Sequence, residues 1–412
     1  MKEPQWLDEG PADVLADLIS NYVPADFISA GADPQAIERL TRKDDPDIEG
    51  RWAAVATAWE KIRFTGYGEA VQTLANAVYD INEFCPEQFR AAQPKLEALR
   101  QPGQRLQLLR DQAKLDHIQT DDFVCACLPD GSGPDFFLYD LSWRPFACGE
   151  VDVAYLAQET GVTVKNLVTL KQAMEALFEK HAGCAIAMKS QHAYTRTLRW
   201  IERDDGDAQR SLQVLLKNPD DPDDAASLCL GDWCMDQGCS LAAKYNLPFK
   251  IHTGYLAGNY RMPIDRIYSG HLCPLLTKHP DTRFVLMHIA YPYSDELIAL
   301  AKHYPNVWAD LCWAWSINPH AGAEFVRRFI HAAPLNKLFG FGGDTQWPTS
   351  ALAYSLQARK WLTKALSAEV ADGELTEAEA MEVATCLLRE NQLACFDLPG
   401  TRQAISAKQK NP

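Results

Sequence analysis

From about residue 120 to the C-terminus, short apolar runs alternate with longer amphipathic ones, and this alternation constrains the fold more than any other feature of the chain. The runs Phe123–Leu128, Phe136–Trp143, Cys184–Lys189, Phe249–His252, Arg283–Ile289, Val307–Cys312 and Leu338–Gly342 read as strands. Most are separated by segments with apolar residues every three or four positions, among them Val164–His181, Ala225–Tyr245, Asp295–Tyr304 and Gly322–His331. Repeated βα units of this kind build a mostly parallel sheet, either closed into a barrel or open and doubly wound. Polar residues end several of the runs: Lys189, His252, His288, a position near Asp310, and Asp344. In a barrel those positions line the C-terminal rim, where active sites form.

Residues 1–115 have a different texture. Pro11–Ser20 and Trp52–Trp59 carry helical spacing, interrupted at Gly66 and Gly68 and resumed through Tyr79, so this part reads as a helical region that covers the pocket or forms a subunit contact. The expected organisation is a helical region over 1–115, a (β/α) barrel over 116–398 closed by helices at Ala351–Leu366 and Leu375–Cys395, and a tail over 399–412.

Charge and cysteine usage narrow the class of partner. The 412 residues carry 40 Lys and Arg against 55 Asp and Glu, a net charge of −15. A field of that sign repels polyanions, so nucleic acid and anionic membranes are not expected partners, and a small-molecule substrate is. No apolar run reaches the roughly 18 residues a spanning helix needs. The start of the chain lacks the apolar core of a signal peptide. Several of the 12 cysteines, including Cys125, Cys127, Cys184 and Cys312, lie in apolar runs as small buried hydrophobes of a reducing compartment do. A cytoplasmic protein is expected, and a homo-oligomer is compatible with the sequence.

Ile251-His252-Thr253-Gly254 places an imidazole where an apolar strand gives way to a glycine turn, and Leu286-Met287-His288-Ile289 repeats this one βα unit later. Neutral imidazole is the commonest metal ligand and the usual acid–base group near pH 7. Phe339-Gly-Phe-Gly-Gly-Asp344 runs into two glycines and a carboxylate able to bind a metal and take a proton from its water. Each alone is as readily a satisfied core or turn residue; the order His, His, Asp on successive strands points to a metal site. Lys189 reads as a metal-bridging carbamate, a solvated strand end or, in preference, a contact to substrate. Arg196, about a turn beyond, would join it in holding a substrate carboxylate, with Tyr194, Asn259 and Trp313 as further pocket residues. No nucleotide-binding glycine motif, zinc-type cysteine pair or serine-hydrolase elbow occurs.

In this order Ile-His252-Thr-Gly, Met-His288-Ile-Ala-Tyr-Pro, Val-Trp-Ala-Asp310-Leu-Cys-Trp313 and Phe-Gly-Phe-Gly-Gly-Asp344, with Lys189-Ser-x-x-Ala-Tyr194-x-Arg196 upstream, resemble the amidohydrolase superfamily, in particular its amidohydrolase-2 and uronate-isomerase-like branch. The resemblance implies a distorted (β/α)8 TIM barrel with one or two divalent cations, zinc before manganese. It implies His252 as metal ligand, His288 as ligand or substrate polariser, and Asp344 as ligand and general base. It also implies a helical insertion of the kind found before Phe123. The family's first strand ends in His-x-His, and this sequence contains no His-x-His. A barrel lacking strand one is therefore expected, with a start codon placed too late preferred over a genuine short form. The function expected first is metal-dependent hydrolysis of a small polar, carboxylated substrate; the alternatives are a sugar-acid isomerase and a metal-free, non-catalytic relative.

Overall fold

The computed structural model describes residues 1–128 and 130–410. Seven parallel strands follow one another in chain order: β1 (Ile118–Thr120), β2 (Phe137–Ser142), β3 (Ala185–Ser190), β4 (Phe249–Ile251), β5 (Phe284–Leu286), β6 (Val307–Asp310) and β7 (Leu338–Phe339). Helices return the chain between most of them, Leu167–His181 and Asp224–Lys244 being the longest. Strands in sequential parallel order curl into a barrel wall. Among the described residues the wall has seven strands, one short of a closed eight-stranded barrel. No helix among the described residues is long and apolar enough to cross a membrane.

The strand count agrees with the sequence, but the first strand is displaced. Phe123–Leu128, expected to be a strand, is irregular, and β1 lies earlier, with the backbone N–H of Ile118 donating to Phe136. The reason is local. The carboxylate of Asp121 accepts the backbone N–H of Phe123 at 2.9 Å, and Phe123 sits at φ +64°, so the chain turns instead of extending. The apolar character of the run serves packing at its centre only: Cys125, Ala126 and Cys127 are buried, while Phe123, Val124 and Leu128 are exposed. Residues 398–410 are helical where a tail is expected; the last two positions of that tail lie outside the described residues.

The first 115 residues are helical and build a core of their own around Trp6, Phe27, Trp52, Trp59, Leu74 and Phe89. Two barrel residues, Trp313 and Ala353, belong to that same cluster, so the two cores meet beside the strand ends. Gly66 and Gly68, expected to interrupt a helix, lie in the first turn of Gly66–Tyr79, capped by the Thr65 hydroxyl, which accepts from Gly68 N at 3.0 Å. A side chain at Gly66 would stand 2.2 Å from the Ser316 carbonyl, so glycine is what lets this helix touch the barrel.

The concave face of the sheet carries charge. Lys250 Nζ lies 2.6 Å from Asp140 and 3.1 Å from Gln119 Oε1. β4 does not neighbour β2 or β1, so these contacts span the interior of the half-barrel. Asp310, also buried, has its carboxyl pushed up to about 7 by burial, against the pull of the Cys312 N–H and of Lys250 and Lys189.

Candidate active site

The C-terminal ends of β3 to β7 converge on one cluster. Lys189 is the penultimate residue of a fully buried strand. His252 directly follows β4, and His288 lies two residues past β5. Asp344 follows the Gly340–Gly343 stretch after β7. Three residues of the cluster take left-handed backbone angles: His288 (φ +63°), Trp313 (φ +62°) and Asp344 (φ +47°). A non-glycine residue there costs about 1–3 kcal/mol and persists where its surroundings impose it. Gly254, at φ +72°, helps impose it: a Cβ at that position would meet the Ala290 carbonyl carbon at 2.4 Å, so glycine admits the tight turn that carries His288.

Both imidazoles are buried, with ring centroids 4.4 Å apart. His288 Nδ1 lies 2.8 Å from the carbonyl of Cys312, which can only accept, so Nδ1 carries the proton and Nε2 a lone pair. His252 Nε2 donates in the same way to the carbonyl of Tyr255 at 2.9 Å, leaving its lone pair on Nδ1. Burial lowers the pKa of both rings; at His252 the neighbouring His288 adds to this, while Asp344 opposes it at both. Both are neutral at pH 7.

Asp344 Oδ1 is 3.7 Å from Lys189 Nζ, and its Oδ2 is 4.0 Å from His288 Nε2. Burial would raise the Asp344 carboxyl, but Lys189, the two imidazoles and a hydroxyl from Tyr22 together hold it below the usual carboxylate range. Burial likewise works against charge on Lys189; the carboxylates of Asp344 and Asp121 outweigh it, and the ammonium is held more firmly than in water. Asp344 is an ionised base beside a fixed cation.

Sequence-predicted residues divide into those the fold gathers here and those it does not. Lys189, His252, His288 and Asp344 are together. Tyr194 joins them, its ring 4.8 Å from His252 and its hydroxyl accepting from Ala257 N at 3.1 Å. Trp313 is buried with its ring edge-on to His288 at 5.3 Å. Asn259 instead donates to the Ala25 carbonyl and the Ser29 hydroxyl, stitching the loop after β4 to the helical region. Arg196 is a correction: its five N–H groups are all engaged, Nε by Thr197, Nη1 by the carbonyls of Ala147 and Leu228, Nη2 by Arg199 and the carboxylate of Asp232. No donor remains for a substrate carboxylate.

Sequence reading missed Tyr22, Asp121 and the interior charges. The Tyr22 hydroxyl donates to the Asp344 carbonyl and lies 3.2 Å from its Oδ2, while the ring packs 4.5 Å from Trp313. No spacing in the sequence signals it. Asp140 and Lys250 did have a signal, since each is a charged residue inside an otherwise apolar strand.

The expected three-ligand metal site does not form from these side chains. Among the described residues no group of three His, Cys, Asp or Glu is arranged to hold a metal ion. His288 and Asp344 face each other across 4.0 Å, and the cation nearest the carboxylate is the Lys189 ammonium. As arranged, these side chains do not close round a divalent ion, and no step below is routed through one.

Residues 195–383 match the amidohydrolase family profile. That stretch, somewhat under half of the chain, is similar to the amidohydrolase family. Over 127 residues it is 32% identical to the uronate isomerase of Xanthomonas axonopodis pv. citri, covering 30% of this chain and 27% of that protein. Over 175 residues it is 30% identical to protein fluG of Emericella nidulans, covering 41% of this chain and 20% of that protein. These matches thus span about a fifth to a quarter of the relatives' length. The whole architecture is similar to uronate isomerase from Thermotoga maritima (TM-score 0.78, 15% identity, 96% of this chain and 92% of the other). It is similar also to glucuronate isomerase from Caulobacter crescentus (TM-score 0.73, 18% identity, 99% and 90%). The chain is uronate-isomerase-like in fold.

Proposed function

We propose that this amidohydrolase-like chain is a sugar-acid isomerase in which Asp344 moves a proton between adjacent carbons of a small aldose acid. The observation that carries this reading is the setting of Asp344: a carboxylate kept ionised beside a buried ammonium and two neutral imidazoles, and not gathered into a metal cage. An ionised, oriented carboxylate in a largely dry site is what abstraction of a proton next to a carbonyl requires. Likeness to uronate isomerases in fold and in part of the sequence favours the same chemistry. In this reading Asp344 takes the proton from C2 and returns it to C1, and Tyr22 orients the carboxylate. The His288 lone pair faces the substrate's hydroxyl groups, and Trp313 and Tyr194 wall the pocket against water.

The test is incubation with D-glucuronate and D-galacturonate in deuterated water. Deuterium entering the sugar together with ketose formation is expected, and absence of both from every aldose acid tried removes the reading.

A second reading, hydrolysis of a small carboxylated substrate, is favoured by one observation: two imidazoles 4.4 Å apart, each with an unprotonated ring nitrogen. That chemistry needs a divalent ion, zinc or manganese, to activate water. Elemental analysis decides it: near-stoichiometric metal that falls in His252→Ala would favour hydrolysis, and well under one equivalent in both is the expected result.

A further inference from the structure

β3 and β4 place Lys189 and Lys250 in register, side by side on the concave face, and the two ammonium groups are treated differently. Lys250 is ion-paired with Asp140 at 2.6 Å and donates to Gln119 Oε1 at 3.1 Å. Lys189 is as buried, yet among the described residues its ammonium makes no hydrogen bond to the protein; its closest carboxylate oxygen, on Asp344, is 3.7 Å away. Two more polar atoms of the cluster, His288 Nε2 and Trp313 Nε1, are buried and without a partner. Buried donors and acceptors are nearly always paired, so these two unmatched atoms, beside an ammonium that reaches its carboxylate only at 3.7 Å, describe the outline of a polar ligand. The ligand must offer acceptor oxygens to Lys189 and the indole, and a hydroxyl to the imidazole lone pair. An α-hydroxy carbonyl compound, in its enediolate form, offers both.

We propose that Lys189 is the electrophile of the reaction: its ammonium receives the carbonyl oxygen on which negative charge collects as Asp344 removes the neighbouring proton. The inference rests on the isomerase reading. Asp344 takes the proton from C2, the C–H electron pair becomes the C1=C2 bond, and the carbonyl pair moves onto O1, where the Lys189 N–H groups stabilise it. The O2 hydroxyl, oriented by His288 Nε2, passes its proton to O1. The O2 pair becomes the C2 carbonyl, and the C1=C2 pair takes the proton back from Asp344 at C1. No oxidant or reductant is needed, and the enzyme ends as it began. Lys189 stays charged throughout, as a hydrogen-bond donor and not as an acid.

Lys189→Met and Asp344→Asn are compared with the wild-type chain on two readouts. The first is isomerisation and deuterium exchange with D-glucuronate. The second is binding of glycolohydroxamate, whose planar paired oxygens mimic an enediolate, by calorimetry. Lys189→Met is expected to lose about 10²–10³-fold in kcat with KM little changed, and most of its affinity for glycolohydroxamate. Asp344→Asn is expected to lose exchange yet keep that affinity. A raised KM with kcat preserved in Lys189→Met would overturn the proposal, since it would make Lys189 a carboxylate holder; so would undiminished glycolohydroxamate binding. Should Lys189→Met not fold, the Lys189→Met/Asp344→Asn double variant removes both charges of the pair, and its binding is set against Asp344→Asn. A wild-type chain that binds glycolohydroxamate through Lys189 but isomerises no aldose acid would refute the isomerase reading, and with it the electrophile role, while showing that Lys189 holds an enediolate-like ligand. One that does neither would refute both.

Discussion

Two ion pairs built on buried cations begin seven residues apart, Lys189 with Asp344 and Arg196 with Asp232, and they are finished in opposite ways. Around Arg196 every donor has an acceptor, and Asp232 is bound a second time, by Arg203 at 3.0 Å. Around Lys189 the ammonium stops short of its carboxylate, and the imidazole and indole beside it are left unmatched. The first pair is closed and can only hold structure. The second is open and can hold something else. The charges and the burial of the cations are alike, while Asp344 is partly exposed and Asp232 is not, so access and completeness of hydrogen bonding are what separate the closed ion pair from the open one in this molecule.

Four substitutions sharpen that contrast, and the largest effect belongs to the closed pair. Arg196→Ala should destabilise the fold by about 3–5 kcal/mol, because it strands the buried Asp232 carboxylate with one partner fewer; urea denaturation measures it, and KM should be unchanged in whatever stays folded. Asp344→Asn reverses the pattern, lowering the isomerisation rate about 10²–10⁴-fold with a far smaller shift in the urea midpoint. A large stability loss in Asp344→Asn with activity retained would erase the distinction between the pairs.

Tyr22→Phe removes one donor from Asp344 and should slow turnover about tenfold, within the range for a hydrogen bond to a charged group. It also predicts a pH effect whose sign is fixed. Tyr22 is among the groups holding the Asp344 carboxyl low, so its loss raises that pKa, and the acid limb of kcat/KM moves to higher pH. An unmoved limb would detach Tyr22 from the carboxylate. Asn259→Ala should have the smallest effect, under about 1 kcal/mol in stability, with kcat close to wild type, since its amide ties a loop to the helical region and not to the pocket.

The open pair was largely legible in the sequence and the closed one was not. Lys189, His252, His288 and Asp344 each end an apolar run, and parallel strands leave such residues nowhere to go but one rim. Arg196 reads the same way, as a cation just past a strand. Its partner is hidden inside the helix Asp224–Lys244, where Asp232 in Leu-Gly-Asp-Trp-Cys-Met was the overlooked sign: a carboxylate amid apolar residues needs a cation. Phe123–Leu128 is apolar without being extended, because the Asp121 turn bends it and Cys125, Ala126 and Cys127 alone point inward. The left-handed angles at His288, Trp313 and Asp344 come from tertiary packing and leave no trace in residue type. Tyr22 was beyond reach for a simpler reason, being 322 residues from the carbonyl it binds.

That separation bears on how the molecule comes together. The helical region and the barrel each have an apolar core able to collapse on local contacts, while the Tyr22–Asp344 bond and the shared Trp313 exist only once the two have docked. Contacts between distant parts of a chain form late, after the loop-closure entropy has been overcome. Catalytic competence is therefore the last property to be acquired, and regained activity during refolding works as a clock for docking, trailing the return of helical signal by the time the two halves take to find each other.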